Sequence, residues 1–366
     1  MTLDRSTPID SSRAHQNRMP TLTLASLASS EGMGQQMYEE RVRELAGPHM
    51  EGACNVRSIV LRTLRSRESG THRIPARMLY SGSEQLRAAI GRLLYRGATV
   101  SHRFDLRIPP FAGPEALTIH DVVSWRFDDE AVPPPASRAE AQRAAAVICG
   151  SAFAADEVQS VLGVKDPIVI PHGVARSFFE ATPFTGSELQ ALGLNRPLVT
   201  HIGGCSRRKN LHALANAWPL VNRQSPGAQL VLVGREHPTR TNLFSSLPQT
   251  ALLGRLPDPL VPRLIASSAV VVVPSLYEGF GLPALEGMAG GAAVVASNRS
   301  SLPEVCADGA LLVEPDATGL SEGIIEALRG DSDIRDMTAR GRTRAAMFTW
   351  ERSVAAHAEV WSSLLR

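Results

Sequence analysis

"VVVVPSLYEGFGLPALEGMAGG", residues 270–291, decides how this chain folds. Four valines run unbroken into Pro274. The run is too apolar for an exposed strand and too short for a helix, which predicts a central strand covered on both faces. Pro274 has no N–H to donate, so it ends the ladder. Gly279 and Gly281 allow backbone angles and a close approach that a Cβ would block. Pro283 suits the first turn of a helix, where a missing N–H costs little. That helix is predicted to stop near Gly290 and Gly291. The result is a helix N-terminus at the carboxyl end of a central strand, where its N–H groups and partial positive charge attract phosphate. Glu278 lies before the glycine turn and Glu286 in the first helical turn. Carboxylates do not bind phosphate; they accept hydrogen bonds from hydroxyls of a sugar or a ribose. Diphosphate flanked by two hydroxyl-rich rings describes a nucleotide sugar.

The same strand–turn–helix rhythm extends in both directions. Toward the start lie the predicted strands "TLTLASLA" (21–28), "ALTIHDVV" (116–123), a short one near 147–149, and "DPIVIPHGV" (166–174). Toward the end lie "PLVTHIGG" (197–204), "QLVLVG" (229–234), "ALLG" (251–254), "AVVVVP" (269–274), "AAVVAS" (292–297) and "ALLVEP" (310–315). Helical patterns separate most of them, which predicts parallel α/β sheets. A weakly patterned stretch near residue 175 divides the chain into two doubly wound domains, 19–174 and 175–349. Residues 1–18 read as a polar tail, and 350–366 as a terminal helix. Ligands in such sheets sit outside the carboxyl ends of the strands, so two domains place the site in the cleft between them.

Bulk composition agrees. The chain has 366 residues, 43% apolar and 20% charged, with a formal net charge of +2. That balance gives no global drive toward nucleic acid. Cys54, Cys149, Cys205 and Cys306 form no CxxC pair, which argues against zinc and a disulfide framework and fits a reducing cytosol. No run approaches the ~18 apolar residues of a membrane span, and no apolar segment marks the start as a signal peptide. The expected location is cytoplasmic. Residues 41–107 nevertheless carry 13 Arg against 5 acids. They are either a solvated face or a surface for anionic lipid headgroups at the inner face of the membrane. Only two lysines occur, Lys165 and Lys209.

The spacing of Glu278 and Glu286 resembles the Glu-x7-Glu motif of retaining glycosyltransferases. "SLYEGFGLPALEGMAGGAAVVASNRSSLPEV" is similar to the corresponding segment of glycosyltransferase family 4, whose members adopt the GT-B fold of two Rossmann-like domains facing a central cleft. The resemblance extends over nearly all of 170–345 and more weakly over 20–170. It implies that Glu278 contacts the donor sugar's hydroxyls and Glu286 the ribose. It also implies that Gly281 and Leu282 offer backbone N–H groups to the diphosphate, with Gly279 and Phe280 among the donor-binding residues. "GGCSRRKNL" (203–211) resembles the family's basic loop, so Arg208 and Lys209 would neutralise the diphosphate, with Gly204 standing where many relatives carry Arg. "TIHDVV" (118–123) resembles the family's His-Asp pair, placing His120 near the reacting carbon, with Asp121 orienting His120 or binding the acceptor. The turn "SSEGMGQQ" (29–36) would set Gly34 at the diphosphate and Gly32 at the acceptor. "LLGRLPDPLVPRLIASS" (252–268) resembles the segment cupping the base, with Arg255 and Leu256 against it. "PHGV" (171–174) reads as an interdomain hinge, and the terminal helix as one that crosses back to the first domain.

The reaction so implied moves a hexose, first of all mannose from GDP-mannose, to a glycan or lipid-linked sugar acceptor. A UDP-sugar donor and a nonenzymatic sugar-nucleotide-binding subunit are the alternatives. A nicotinamide oxidoreductase is disfavoured because the turn at Gly32 and Gly34 lacks a full GxGxxG fingerprint. The acid cluster "FDDE" (127–130) precedes a proline run and reads as a loop rather than a metal site. No metal and no cofactor are therefore expected, the cations at Arg208 and Lys209 doing a metal's charge work.

Overall fold

The computed structural model describes residues 19–28 and 34–366. The polar tail and Gly32 lie outside the described residues. Two parallel sheets organise the rest. The first contains β1 (Thr21–Leu27), β2 (Asn55–Thr63), β3 (His72–Ile74), β4 (Val100–Arg103), β5 (Glu115–Thr118), β6 (Ala146–Cys149) and β7 (Ile168–Val169), in the order β3-β2-β1-β4-β5-β6-β7. The second contains β8 (Leu198–Ile202), β9 (Gln229–Val233), β10 (Thr250–Gly254), β11 (Val270–Val273), β12 (Ala293–Ser297) and β13 (Leu311–Val313), in the order β10-β9-β8-β11-β12-β13.

The four valines form β11, hydrogen-bonded between β8 and β12. Each is at most 2% exposed. Their two faces feed two separate cores: Val270 and Val272 pack with Trp218 and Leu230, and Val271 and Val273 with Leu285 and Met288. Helix Leu282–Ala289 lies so close to this sheet that a Cβ at Gly287 would stand 2.9 Å from Val294 and 3.0 Å from Val271.

β3 and β4 fall where the sequence offers no apolar run, and β2 has only the short Ile59–Val60–Leu61 run among polar residues. All four residues of β4 are buried, His102 and Arg103 among them. Arg103 pairs with Glu115 at 2.9 Å and Glu140 at 2.8 Å, and Arg87 pairs with Glu140 at 2.6 Å, all beneath the surface. Charge compensation takes the place of apolar packing there. The strand expected over 116–123 ends at Thr118. Asp121 then accepts the Val123 N–H at 3.2 Å and turns the chain into a short 3-10 turn. The strand expected over 166–174 shrinks to an edge pair, Ile168 and Val169.

The terminal helix Trp350–Leu365 packs on the first domain, in one core with Leu22, Leu24 and Tyr38. His357 Nε2 lies 2.6 Å from the Tyr38 hydroxyl, and Trp361 Nε1 donates to His102 Nδ1 at 3.1 Å. The two segments that connect the domains run side by side. Val174 N–H donates to the Phe348 carbonyl at 3.0 Å, and a Cβ at Gly173 would stand 2.3 Å from the Trp350 nitrogen.

Candidate active site

The carboxyl ends of both sheets meet across one cleft. On the second domain, Gly281 has φ +100°, which a residue with a Cβ rarely adopts, and it starts helix Leu282–Ala289 with no side-chain cap. Ahead of it, Glu278 is fixed at every polar atom. Its N–H donates to Ser300 Oγ at 3.0 Å and its carbonyl accepts from Ser301 Oγ at 2.9 Å. Its carboxylate accepts from Lys209 Nζ at 2.6 Å and Ser275 Oγ at 2.7 Å, and lies 3.3 Å from Arg208. Burial would push this carboxyl up; Lys209 and Arg208 outweigh it and bring it down to about 2. Glu278 is therefore an acceptor only. Glu286 differs. It is the fifth residue of its helix, a little deeper than the first turn, and burial raises its carboxyl to about 8 with no opposing cation. Its protonated form can donate as well as accept.

The loop after β8 is held by Asn210, inside the basic-loop motif, and by Arg240, which no motif marks. Asn210, in the left-handed region at φ 55°, donates to the carbonyls of Pro274 at 3.0 Å and Pro315 at 2.7 Å. This ties Arg208 and Lys209 to the end of β11. Buried Arg240 donates to the carbonyls of Gly203 and Gly204 at 2.5 and 3.1 Å, holding the Gly-Gly strand end. A Cβ at Gly204 would meet nothing within 4 Å, so no packing demands glycine there. Arg255 and Leu256 follow β10 on the same side of the sheet, Arg255 exposed and Leu256 half-buried.

The first domain closes on this surface. A Cβ at Gly279 would stand 2.1 Å from the His120 carbonyl oxygen and 3.0 Å from Asp121 Cβ. A Cβ at Gly34, the first residue of helix Gly34–His49, would stand 2.8 Å from Leu282. Two helix N-termini thus face each other. Phe280 is buried against His172, ring centres 4.7 Å apart, and His172 lies 4.6 Å from Tyr38. His120 crosses Tyr38 edge-on at 4.9 Å, and both its ring nitrogens lack a hydrogen-bond partner among the described residues. Burial lowers His120 to about 4, against the pull of Asp105, so the ring is neutral near pH 7. Burial raises the Asp121 carboxyl, and Arg208 opposes it.

One cluster had no signal in the sequence. Gln35 Nε2 donates to Glu39 at 3.0 Å and to Asp105 at 3.1 Å. Asp105 also pairs with Arg107, and burial with Asp105 beside it raises Glu39 to about 8. These groups sit beyond β1 and β4, where the strand order reverses. Among the described residues, no group of three His, Cys, Asp or Glu side chains is placed to hold a metal ion.

Residues 196–330 match the family model Glycosyl transferases group 1. The chain is 35% identical over 159 residues to O-antigen chain mannosyltransferase B of Escherichia coli, covering 41% of this chain and 42% of that protein. It is 32% identical over 241 residues to alpha-maltose-1-phosphate synthase of Mycolicibacterium smegmatis, covering 58% and 62%. The chain thus spans less than two thirds of either relative. Anabaena HepE, solved in complex with UDP and glucose, superposes with TM-score 0.72 at 19% identity, over 94% of this chain and all of that one. The fold is GT-B.

Proposed function

From residues 196–330 as a group 1 glycosyltransferase domain, in a GT-B chain that resembles bacterial mannosyltransferases, we propose a retaining hexosyltransferase. It moves mannose from GDP-mannose to a hydroxyl of a glycan or lipid-linked sugar. The observation that carries this reading is the Lys209–Glu278 pair, 2.6 Å apart and buried beside the uncapped N-terminus of helix Leu282–Ala289. An ammonium and a guanidinium beside helix N–H groups suit a diphosphate. The adjoining carboxylate suits sugar hydroxyls, and protonated Glu286 suits the ribose. Arg255 and Leu256 flank the base.

In the proposed reaction the bond between the sugar's anomeric carbon and the phosphate oxygen breaks, and the nucleoside diphosphate leaves with the electron pair. Arg208, Lys209 and the helix N-terminus stabilise the charge that builds on it. The acceptor oxygen bonds the same carbon from the same face, and its proton passes to the departing phosphate. His120, neutral and facing the sugar site, polarises or shapes it. Asp121 lies on the acceptor side, and Asp105, which acts on His120 and accepts from Gln35, lies beyond β4. The reaction uses no metal; turnover abolished by EDTA and restored by Mn²⁺ would contradict that.

The mannosyl relatives favour GDP-mannose, and the UDP-bound neighbour keeps a UDP-sugar as the second reading. A thermal-shift panel of GDP-, UDP-, ADP- and TDP-sugars separates them. GDP-mannose should give the largest rise in melting temperature, and Lys209→Ala should remove it. The preferred donor should also be hydrolysed slowly, which a nonenzymatic binding subunit would not do.

The proposed location is the cytoplasm, with peripheral contact at an anionic membrane. No helix of the described residues is long and apolar enough to cross a membrane. Leu64, Leu86 and Leu93 are exposed in the Arg-rich part of the first domain, Leu93 at 78%.

A further inference from the structure

The acid cluster at 127–130 has no part in the chemistry above, yet it touches the same cations. Across the cleft, the Arg207 backbone N–H donates to Asp129 Oδ2 at 2.6 Å. The Arg207 guanidinium donates to Asp128 at 2.6 Å, and Arg208 Nε donates to Glu130 at 2.9 Å. Phe127 seats the loop edge-on against Tyr277, ring centres 6.0 Å apart. The second domain thus offers Arg207, Arg208 and Lys209, while Asp128, Asp129, Glu130 and Glu278 bond to them. Asp128, Glu130 and Glu278 pair with the three cations and Asp129 accepts the Arg207 backbone N–H, so four carboxylates surround three cations before any phosphate arrives. A diphosphate cannot add to such a set without repulsion; it must replace part of it.

We propose that Asp128, Asp129 and Glu130 set donor affinity by competing with the diphosphate for Arg207 and Arg208. The competitor belongs to the opposite domain, so its release loosens one cross-cleft contact as the donor seats. Glu278 is not the group displaced: it is held by Ser275, Ser300 and Ser301 within its own domain. The loop carboxylates reach the cations from across the cleft, and the Asp128 side chain is 79% exposed. The inference rests on the diphosphate site proposed above.

Calorimetric titration of the full chain with GDP tests it, using wild type, Lys209→Ala and the combined variant Asp128→Asn, Asp129→Asn, Glu130→Gln. These amide replacements keep shape at an exposed loop, and a thermal melt checks that the variant folds. Competition predicts that the combined variant binds GDP about tenfold tighter at low salt. The KM for the donor falls in parallel. Its affinity also falls more steeply with added salt, because the phosphate now meets uncompensated cations. A loop that merely braced the domains would leave affinity unchanged or weaken it. Unchanged or weaker GDP binding in the combined variant, with binding weakened in Lys209→Ala, overturns the competition alone. If neither variant alters GDP binding, the diphosphate site itself is overturned. Glu130→Gln alone should give a smaller tightening in the same direction.

Discussion

Glu278 and Glu286, eight positions apart, are opposite in chemistry although both are buried. Two cations and a serine hold Glu278 ionised, whereas nothing offsets the burial of Glu286. The consequence is a pH dependence with a definite sign. Glu286 has a folded value of about 8, above its ordinary 4.5, so the stability it contributes is complete at low pH and is lost as pH rises through 8. Glu286→Gln has no such loss. Its melting temperature relative to wild type should climb between about pH 5 and pH 8, the gain bounded by ~1.4 kcal/mol for each step of one in pH. A constant offset would mean that the carboxyl is not held protonated. Lys209→Ala should weaken nucleotide-sugar binding about 10- to 100-fold, the value of a hydrogen bond to a charged group. Gly279→Ala would place a methyl 2.1 Å from the His120 carbonyl and force the two domains apart. Turnover should then fall about 100-fold, as for a ~1 Å misplacement, with little change in folding. Near-normal turnover would show that the His120–Gly279 contact is not part of the working geometry.

The strand–turn–helix pieces differ in how openly they announce themselves. β11 is legible because four valines satisfy two cores at once. The Leu282 helix start is legible because Pro283 and Gly281 answer to backbone geometry, Gly281 at φ +100°. β4 is not legible, since "VSHR" is polar and its arginine is neutralised only by Glu115 and Glu140, distant in sequence. The Gln35–Asp105 cluster is hidden for the same reason, its partners 70 positions apart. Arg240 escapes notice, and Asn210 is legible only as part of the basic loop, because each acts by donating to backbone carbonyls, a role that no spacing marks. The buried Arg87–Glu140–Arg103 set supplies an independent test at this level. Arg87 also donates to the carbonyls of Leu79, Leu106, Arg107 and Ile108, so it braces the loop that presents Asp105. Glu140→Ala leaves two buried guanidinium groups without their shared carboxylate. It should cost ~3–5 kcal/mol and lower the melting temperature by roughly 5–15 °C. A loss within ~0.5 kcal/mol would mean that solvent reaches the network.

As a whole molecule, the chain is two sheets whose carboxyl ends close on each other, joined by crossing segments at 173–174 and 348–350. Phe280 touches His172, and His172 touches Tyr38, so the donor turn, the connecting segment and the first domain share one packed cluster. Opening the cleft must break that packing, so in the proposed reaction donor entry would be coupled to domain motion. The exposed arginines of residues 41–107, from which Arg87 and Arg103 are excluded by burial, give a separate prediction. Sedimentation with vesicles containing phosphatidylglycerol should carry the protein down at low salt and release it at ~0.5 M salt, where the Debye length is only a few ångströms. Leu93→Asp should weaken the capture, and equal capture by neutral phosphatidylcholine vesicles would contradict an electrostatic contact. Everything else depends on where the nucleotide lies. A crystal structure of the protein grown with GDP-mannose should place the diphosphate at the N-terminus of helix Leu282–Ala289, against Arg208 and Lys209, with Glu278 on the sugar and Glu286 on the ribose. Density for the nucleotide sugar anywhere else, with Lys209 still bonded only to Glu278, would contradict it.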